Sequence, residues 1–442
     1  MADRISSGAL GKLAVSLRSS FWFLPGCIVL ASIGLAVGLV ALDRQSGNGA
    51  DARGAALWAV GADGARELMA TIAGSMITVA GVVFSITIVA LAQASTQYTS
   101  RVLRNFMRDR GNQVVLGVFL GVFAYCLCVM RTITGNESEG FVPQVAVTSG
   151  LGLALVAVAF LVFFIHHVAA SIQSGAIAHG IAADTLCTID TLFPDPLEGD
   201  EVVPGNEAGD GLHWHPVIAT QMGYIERVDY DALLAFARER DVVVRMKASL
   251  GDFASPDLPI ASIGTARAPG AGDSRRLAGM YAIDSYRTIE QDVAFGIRQL
   301  VDVALKALSP AINDSTTAVT SLDYLSLLLR RLAGRRVQPR PLRDAQKLRV
   351  LPAGPGFERL LALAFDQILE NAHGNTTVLL RLLRALEEVR GGTASPARQR
   401  LLDARRDVVA EVARRTAPDS DARRRIEAQL AGAIAGDDTT GA

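Results

Sequence analysis

Between residues 71 and 99, hydroxyl side chains recur at alternating steps of three and four: Thr71, Ser75, Thr78, Ser85, Thr96 and Thr99. Val82, Val89 and Ala92 fill the remaining steps. On a helix these positions share one seam, while Ile77, Phe84, Ile88 and Leu91 lie toward the other side. Small hydroxyl residues in a membrane can let helices approach closely and hydrogen-bond across the contact, or bond their own i−4 carbonyls. In an assembly of several copies they can instead ring an aqueous path. A second polar set is Arg298, Asp302 and Lys306, spaced so that they pair along one helix face, followed by Asn313 and Asp314. It reads either as a surface ion-pair ladder plus a helix cap, or as a cytoplasmic polar cluster in which Arg298, Asp302, Asn313 and Asp314 meet a ligand or a neighbouring subunit.

The remaining candidates point to less. His166 and His167 are adjacent, so they project about 100° apart and share no face. His213 and His215 flank Trp214 with no further ligand nearby, which is too few for a metal site. Cys126 and Cys128 diverge on a helix, and with Cys27 and Cys187 they form no disulfide or zinc pattern. Met246-Lys247 falls in a predicted strand, so a lipoyl or biotin modification is not expected. No phosphate-binding loop, nucleophile elbow, metalloprotease pair or Rossmann glycine pattern occurs. The expectation is a chain with no catalytic residues, no metal, no cofactor and no enzymatic activity.

The elements that would position these residues follow from hydropathy. Half of the 442 residues are hydrophobic and 20% are charged, so a greasy part coexists with an aqueous one. The net charge of −1 argues against nucleic acid as a partner. A bilayer core about 30 Å thick needs roughly 20 apolar residues, and four runs qualify: 21–42, 71–94, 113–133 and 142–168. Arg4, Lys12 and Arg18 precede the first, and Arg101, Arg104, Arg108 and Arg110 sit between the second and third. The connection before the fourth carries Glu137 and Glu139 and no Lys or Arg. The positive-inside rule then places both termini in the cytoplasm, with the lipid bilayer as a partner. The second span is expected to continue as a helix from about 66 to 108, roughly 60 Å long. Gly74 and Gly81 suggest a close-packing edge on it, and Gly117 and Gly121 form a second such edge on the third span.

The domains read as a transmembrane domain 1–182, a linker 183–211, a small β-rich module 212–266, a cytoplasmic helical domain 280–436 and a disordered tail 437–442. The fold class is thus an α-helical membrane protein with four transmembrane helices plus a cytoplasmic α+β region, a small β module followed by a helical bundle. Strands are predicted near 217–219, 223–228, 242–248 and 258–263, with a turn at Leu250-Gly251-Asp252-Phe253 and a helix at 230–240. An apolar stripe predicts a helix over 283–308, then helices from Asn313 or Asp314 to 332, and at 356–372, 376–388, 397–415 and 420–434, with a basic connection over 335–349.

Two resemblances add to this. The β module is similar to the barrel-sandwich fold of lipoyl and membrane-fusion-protein domains, on its Gly-Asp turn before a strand. The runs SMITVAGVVFSITIVALAQASTQYTSRVLRNFMRD and QDVAFGIRQLVDVALKALSPAIND resemble the bacterial predicted membrane protein family known as domain of unknown function 2254. That resemblance covers nearly the whole chain. It implies four spans and a cytoplasmic C-terminal part, and it implies no activity. The functional expectation is an oligomeric channel or pore-like protein, a homo-oligomer whose second span lines the path and whose cytoplasmic domain gates or assembles it. The alternative is a membrane-anchored scaffold or sensor without a conduit, whose cytoplasmic helices bind a protein or a small ligand.

Overall fold

The structure is a computed structural model that describes residues 22–46, 61–97, 110–134, 141–171, 174–197, 199–200, 212–266, 269–270, 272–289 and 291–437. Arg4, Lys12, Arg18, Arg101, Arg104, Arg108, Glu137 and Glu139, which carry the orientation reading, lie outside these residues. So do Thr99, the linker stretch 201–211 and tail residues 438–442. The chain divides into two compact units, 1–173 and 174–442.

The first unit holds four helices: α1 (Phe23–Ser46), α2 (Ala62–Gln97), α3 (Arg110–Thr132) and α4 (Gln144–Ser171). All four are long and apolar enough to cross a membrane. At 36 residues, α2 is about 54 Å long and exceeds the bilayer core. Helix α3 is the hub and packs on α1, α2 and α4. Its inward face carries Val115, Phe119, Val122, Tyr125, Cys126 and Val129, all buried at helical spacing. Gly117 and Gly121 form the seam with α1. A Cβ added at Gly117 would come within 3.0 Å of the Pro25 Cα, and one at Gly121 within 2.6 Å of the Ser32 hydroxyl. Polar ties join the helix ends. Asp43, near the end of α1, accepts hydrogen bonds from the amides of Val145 (3.3 Å) and Ala146 (3.1 Å) at the start of α4. The Tyr125 hydroxyl donates to the Ala146 carbonyl at 2.7 Å. Asp43 thus caps a helix a hundred residues downstream, meeting amides that lack an intrahelical partner.

The second unit opens with α5 (Ser174–Leu192), which runs into the stretch read as linker. Next come β1 (His213–Ile218), β2 (Gly223–Val228), α6 (Tyr230–Glu239), β3 (Val243–Met246), β4 (Phe253–Ala254), β5 (Pro259–Thr265), α7 (Asp273–Ala278) and β6 (Tyr281–Asp284). Helices α8 (Val293–Ala307) and α9 (Ser315–Ala333) follow, then β7 (Leu342–Asp344), β8 (Lys347–Leu351), α10 (Phe357–Asn371), α11 (Thr376–Arg390), α12 (Pro396–Thr416) and α13 (Ser420–Asp437). The strands form a five-stranded sheet, β1-β5-β3-β8-β7, and a three-stranded one, β4-β2-β6. This differs from a barrel-sandwich, because β3 and β8 pair in parallel and α6 packs on β3, β7 and β8.

Two elements depart from the sequence expectation. The basic connection 335–349 contains the β7–β8 hairpin, which completes the sheet of the β module from within the helical region. Its charged positions hid it: Arg349, 7% exposed, reaches Asp241 at 2.8 Å, and Lys347 pairs with the same carboxylate. The helix expected from 283 begins at Val293. Residues 281–284 instead pair with β2 as β6, and Asp292 supplies the cap by accepting from the Phe295 amide at 3.0 Å.

Around α9 the helices interlock. Arg398, 5% exposed, donates to the carbonyls of Leu332 (3.0 Å), Ala333 (2.9 Å) and Arg335 (2.8 Å) at the C-terminal end of α9, and lies over the Phe357 ring. The Leu332 carbonyl also accepts from the Arg335 amide at 3.0 Å, so Arg398 chiefly serves the carbonyls of Ala333 and Arg335, and a cation there also matches the helix dipole. Arg331 and Arg335 bind Asp190 of α5 at 2.9 and 3.0 Å.

Arg398→Leu keeps an apolar contact but removes the side-chain donor to the Ala333 and Arg335 carbonyls, and it is expected to cost about 3 kcal/mol of stability, read as denaturant midpoint of the full chain. Asp43→Ala is expected to cost about 1 kcal/mol, and an unchanged midpoint would show that the α4 amides find water instead.

Candidate functional site: the outward face of α2 and the polar groups of the second unit

Helix α2 has two opposed faces. Ala65, Met69, Ile72, Ala73, Met76, Ala80 and Val83 are buried in the bundle. Opposite them, Thr71, Ser75, Thr78, Val82, Ser85, Val89 and Ala92 are all exposed. Thr96 lies on α2, and its side chain is outside the described set. The hydroxyls are internally satisfied where the bonds are seen: Ser75 donates to the Thr71 carbonyl and Thr78 to the Gly74 carbonyl, both at 2.8 Å. Each keeps oxygen lone pairs free to accept. A Cβ at Gly74 or Gly81 would meet nothing within 4 Å. The two glycine edges therefore differ: that of α3 is consumed by α1, and that of α2 is open. Ile77, Phe84, Ile86 and Ile88 are exposed beside this seam, so the outward surface of α2 is mixed. Leu30, Leu35, Val37 and Leu42 project from α1, and Leu155, Val158, Val162, Phe163 and Ile165 from α4.

In the second unit, Arg298 pairs with Asp302 at 2.9 Å and donates to the Gln367 side chain at 2.6 Å, linking α8 to α10. Lys306 is exposed. Asn313 takes the left-handed conformation at φ 50°, which Asn tolerates better than most residues. Asp314 caps α9, accepting from the amides of Thr316 and Thr317 at 3.0 Å and from the Thr317 hydroxyl. These contacts hold its carboxyl below the usual value, the Thr317 hydroxyl first. His179 stands 3.4 Å from the Tyr324 hydroxyl, and His167 stacks on Phe163. Among the described residues no group of three His, Cys, Asp or Glu could hold a metal.

A cavity of about 440 Å³ lies between the end of α5, the starts of α6 and α8, and the loops on either side of the β7–β8 hairpin. At its wall Asp292 is 5% exposed and bound by Arg287 at 2.7 Å. Burial pushes its carboxyl above the usual value, against the opposing Arg287 charge. Gly251, at φ +78°, lies so close to this pair that a Cβ would strike both side chains. Asp195 pairs with Arg340 at 3.1 Å. Sequence reasoning missed this cavity. Its walls come from six separated stretches of chain, 191–195, 230, 249–250, 291–294, 336–342 and 352–360, and the one signal, an Asp before the apolar stripe of α8, reads simply as a cap.

The Asp314 contacts set a pH dependence. A lowered carboxyl contributes stability above its ordinary value of 3.8 and loses it as pH falls through the lowered one. Asp314→Asn retains a capping oxygen, so the wild type should be the more stable near pH 6 and lose that advantage toward pH 2, measured as the difference in denaturant midpoints.

Comparison with known proteins agrees with this architecture. The model of the predicted membrane protein family DUF2254 matches residues 18–388. An uncharacterised protein of Mycobacterium tuberculosis is 33% identical over 416 residues, which cover 92% of this chain and 78% of that protein. One from Mycobacterium bovis shows the same identity and coverage. No solved structure matches. With four membrane helices followed by a mixed helical and sheet unit, the chain belongs to the predicted membrane protein family DUF2254.

Proposed function

We propose that copies of this chain assemble in a bacterial inner membrane through the outward face of α2, forming a channel-like protein whose path runs between copies. One observation carries this reading: alongside the exposed Ile77, Phe84, Ile86 and Ile88, α2 presents a seam of exposed hydroxyls, Thr71, Ser75, Thr78 and Ser85, beside the open Gly74–Gly81 edge. Lipid tails are as apolar as leucine, so helices associate in a bilayer by close packing rather than by hydrophobicity, and small residues permit it. A path through a single copy is disfavoured by the filled interior, where Met69, Phe119, Tyr125 and Phe164 are each at most 1% exposed. A shared axis would instead be lined by hydroxyl oxygens, with Glu67, exposed and one turn before Thr71, adding a ring of carboxylates that favours cations. The second unit then lies in the cytoplasm with both termini, where it gates or assembles the pore.

The second reading, a membrane-anchored scaffold or sensor with no conduit, is favoured by the cavity of the second unit.

In a chain freed of its native cysteines, Thr78→Cys and Ser85→Cys are expected to form disulfide-linked dimers in membranes, and Leu155→Cys is not. Purified protein in liposomes is expected to pass potassium, and Ser85→Leu to cut the flux about tenfold or more. Cross-linking without flux would remove the conduit and leave the scaffold. Equal cross-linking from Leu155→Cys would remove the interface.

A further inference from the structure

We propose that the cavity of the second unit is a binding site for a mostly apolar molecule bearing one anionic group, recognised by Arg336. The inference is independent of whether copies form a conduit. The volume of about 440 Å³ falls within the roughly 300–1,000 Å³ of small-ligand sites, which pair an apolar lining with a few oriented polar groups. Phe193, Tyr230, Val293, Leu342, Pro352 and Leu360 supply the apolar wall.

The wall carries Asp195, Asp292, Arg336 and Arg340, two charges of each sign, but they are not equally paired. Asp195 is matched by Arg340 at 3.1 Å, and Asp292 is matched by Arg287 at 2.7 Å. Arg336, which also lines the cavity, makes no side-chain hydrogen bond or ion pair among the described residues, and its Nε is sealed from solvent with no acceptor. Its backbone is pinned, because the Arg336 amide donates to the Asp195 carbonyl at 3.1 Å. Arg336 is half-buried, so its charge is partly withdrawn from water and has no paired carboxylate. With the Nε sealed, its terminal nitrogens are the donors a carboxylate or phosphate in the cavity would meet, in the planar, two-point geometry that guanidinium offers. A cation would be repelled and a neutral acceptor would bond more weakly, so the unpaired guanidinium favours an anion. Pro339, Pro352 and Pro355 line the rim and limit the conformational freedom lost when a ligand is seated.

The test is isothermal titration calorimetry on the full chain in lipid nanodiscs, with empty nanodiscs as the blank. The probes are 2-naphthoate and its neutral counterpart, naphthalene-2-methanol. Wild type is expected to bind naphthoate saturably and about tenfold or more tighter than the alcohol. Arg336→Met is expected to bring naphthoate down to the affinity of the alcohol while leaving alcohol binding in place, which shows that the cavity itself survives. Leu360→Trp, which fills the cavity, should abolish both. Absence of saturable heat with wild type, equal affinity for the two probes, or naphthoate binding unchanged in Arg336→Met would each overturn the proposal.

Discussion

The close approach of α1 to α3 at Gly117 and Gly121 is the contact on which the membrane unit depends. Lipid supplies no hydrophobic drive for joining helices, so the bundle needs backbones near enough for dispersion contacts to add up. With α1 drawn against one side of α3, its remaining faces are left for α2 and α4. The loop ends are then close enough for Asp43 to reach the start of α4 and for Tyr125 to reach Ala146. Four helices sharing one hub leave α2 with Met69, Ile72, Met76 and Val83 turned in and the hydroxyl seam, flanked by Ile77, Phe84 and Ile88, turned out.

The second unit follows a different economy. Its helices bury Leu322, Leu325, Leu328 and Leu332 on one stripe of α9 and meet the ends of the sheets at the cavity. Buried charge is tolerated there because it is matched: Arg398 by three carbonyls, Arg349 by Asp241, Asp292 by Arg287. Arg336, half-buried and with no paired carboxylate among the described residues, differs from these.

The spans were legible because a bilayer imposes a length and a composition that few other structures satisfy. The alternation along α2 was legible for the same reason that any helical seam is, since spacing fixes which residues share a face. Spacing does not say whether that face turns inward, and only the packing of Met69, Met76 and Val83 against α3 decides it. The start of α9 is legible in the Asn-Asp pair, where Asp314 caps the helix. Strands β7 and β8 were missed because three and five residues carrying Arg343, Asp344, Lys347 and Arg349 show no hydrophobic alternation. The cavity was out of reach, since no local pattern brings residues 193, 230, 292 and 336 together.

The parallel pairing of β3 with β8 has a temporal consequence. During synthesis β3 leaves the ribosome first, β5 then pairs along one side of it, and the other edge stays bare. Helices α8 and α9 must be made before β8 can occupy that edge. An uncovered strand edge is a template for any other extended chain, and long-range parallel pairing forms slowly. Copies translated side by side on one message would therefore pass through a window in which one nascent chain could lend its hairpin to another, and any chaperone serving this protein would have to shield Val243–Met246 during that window.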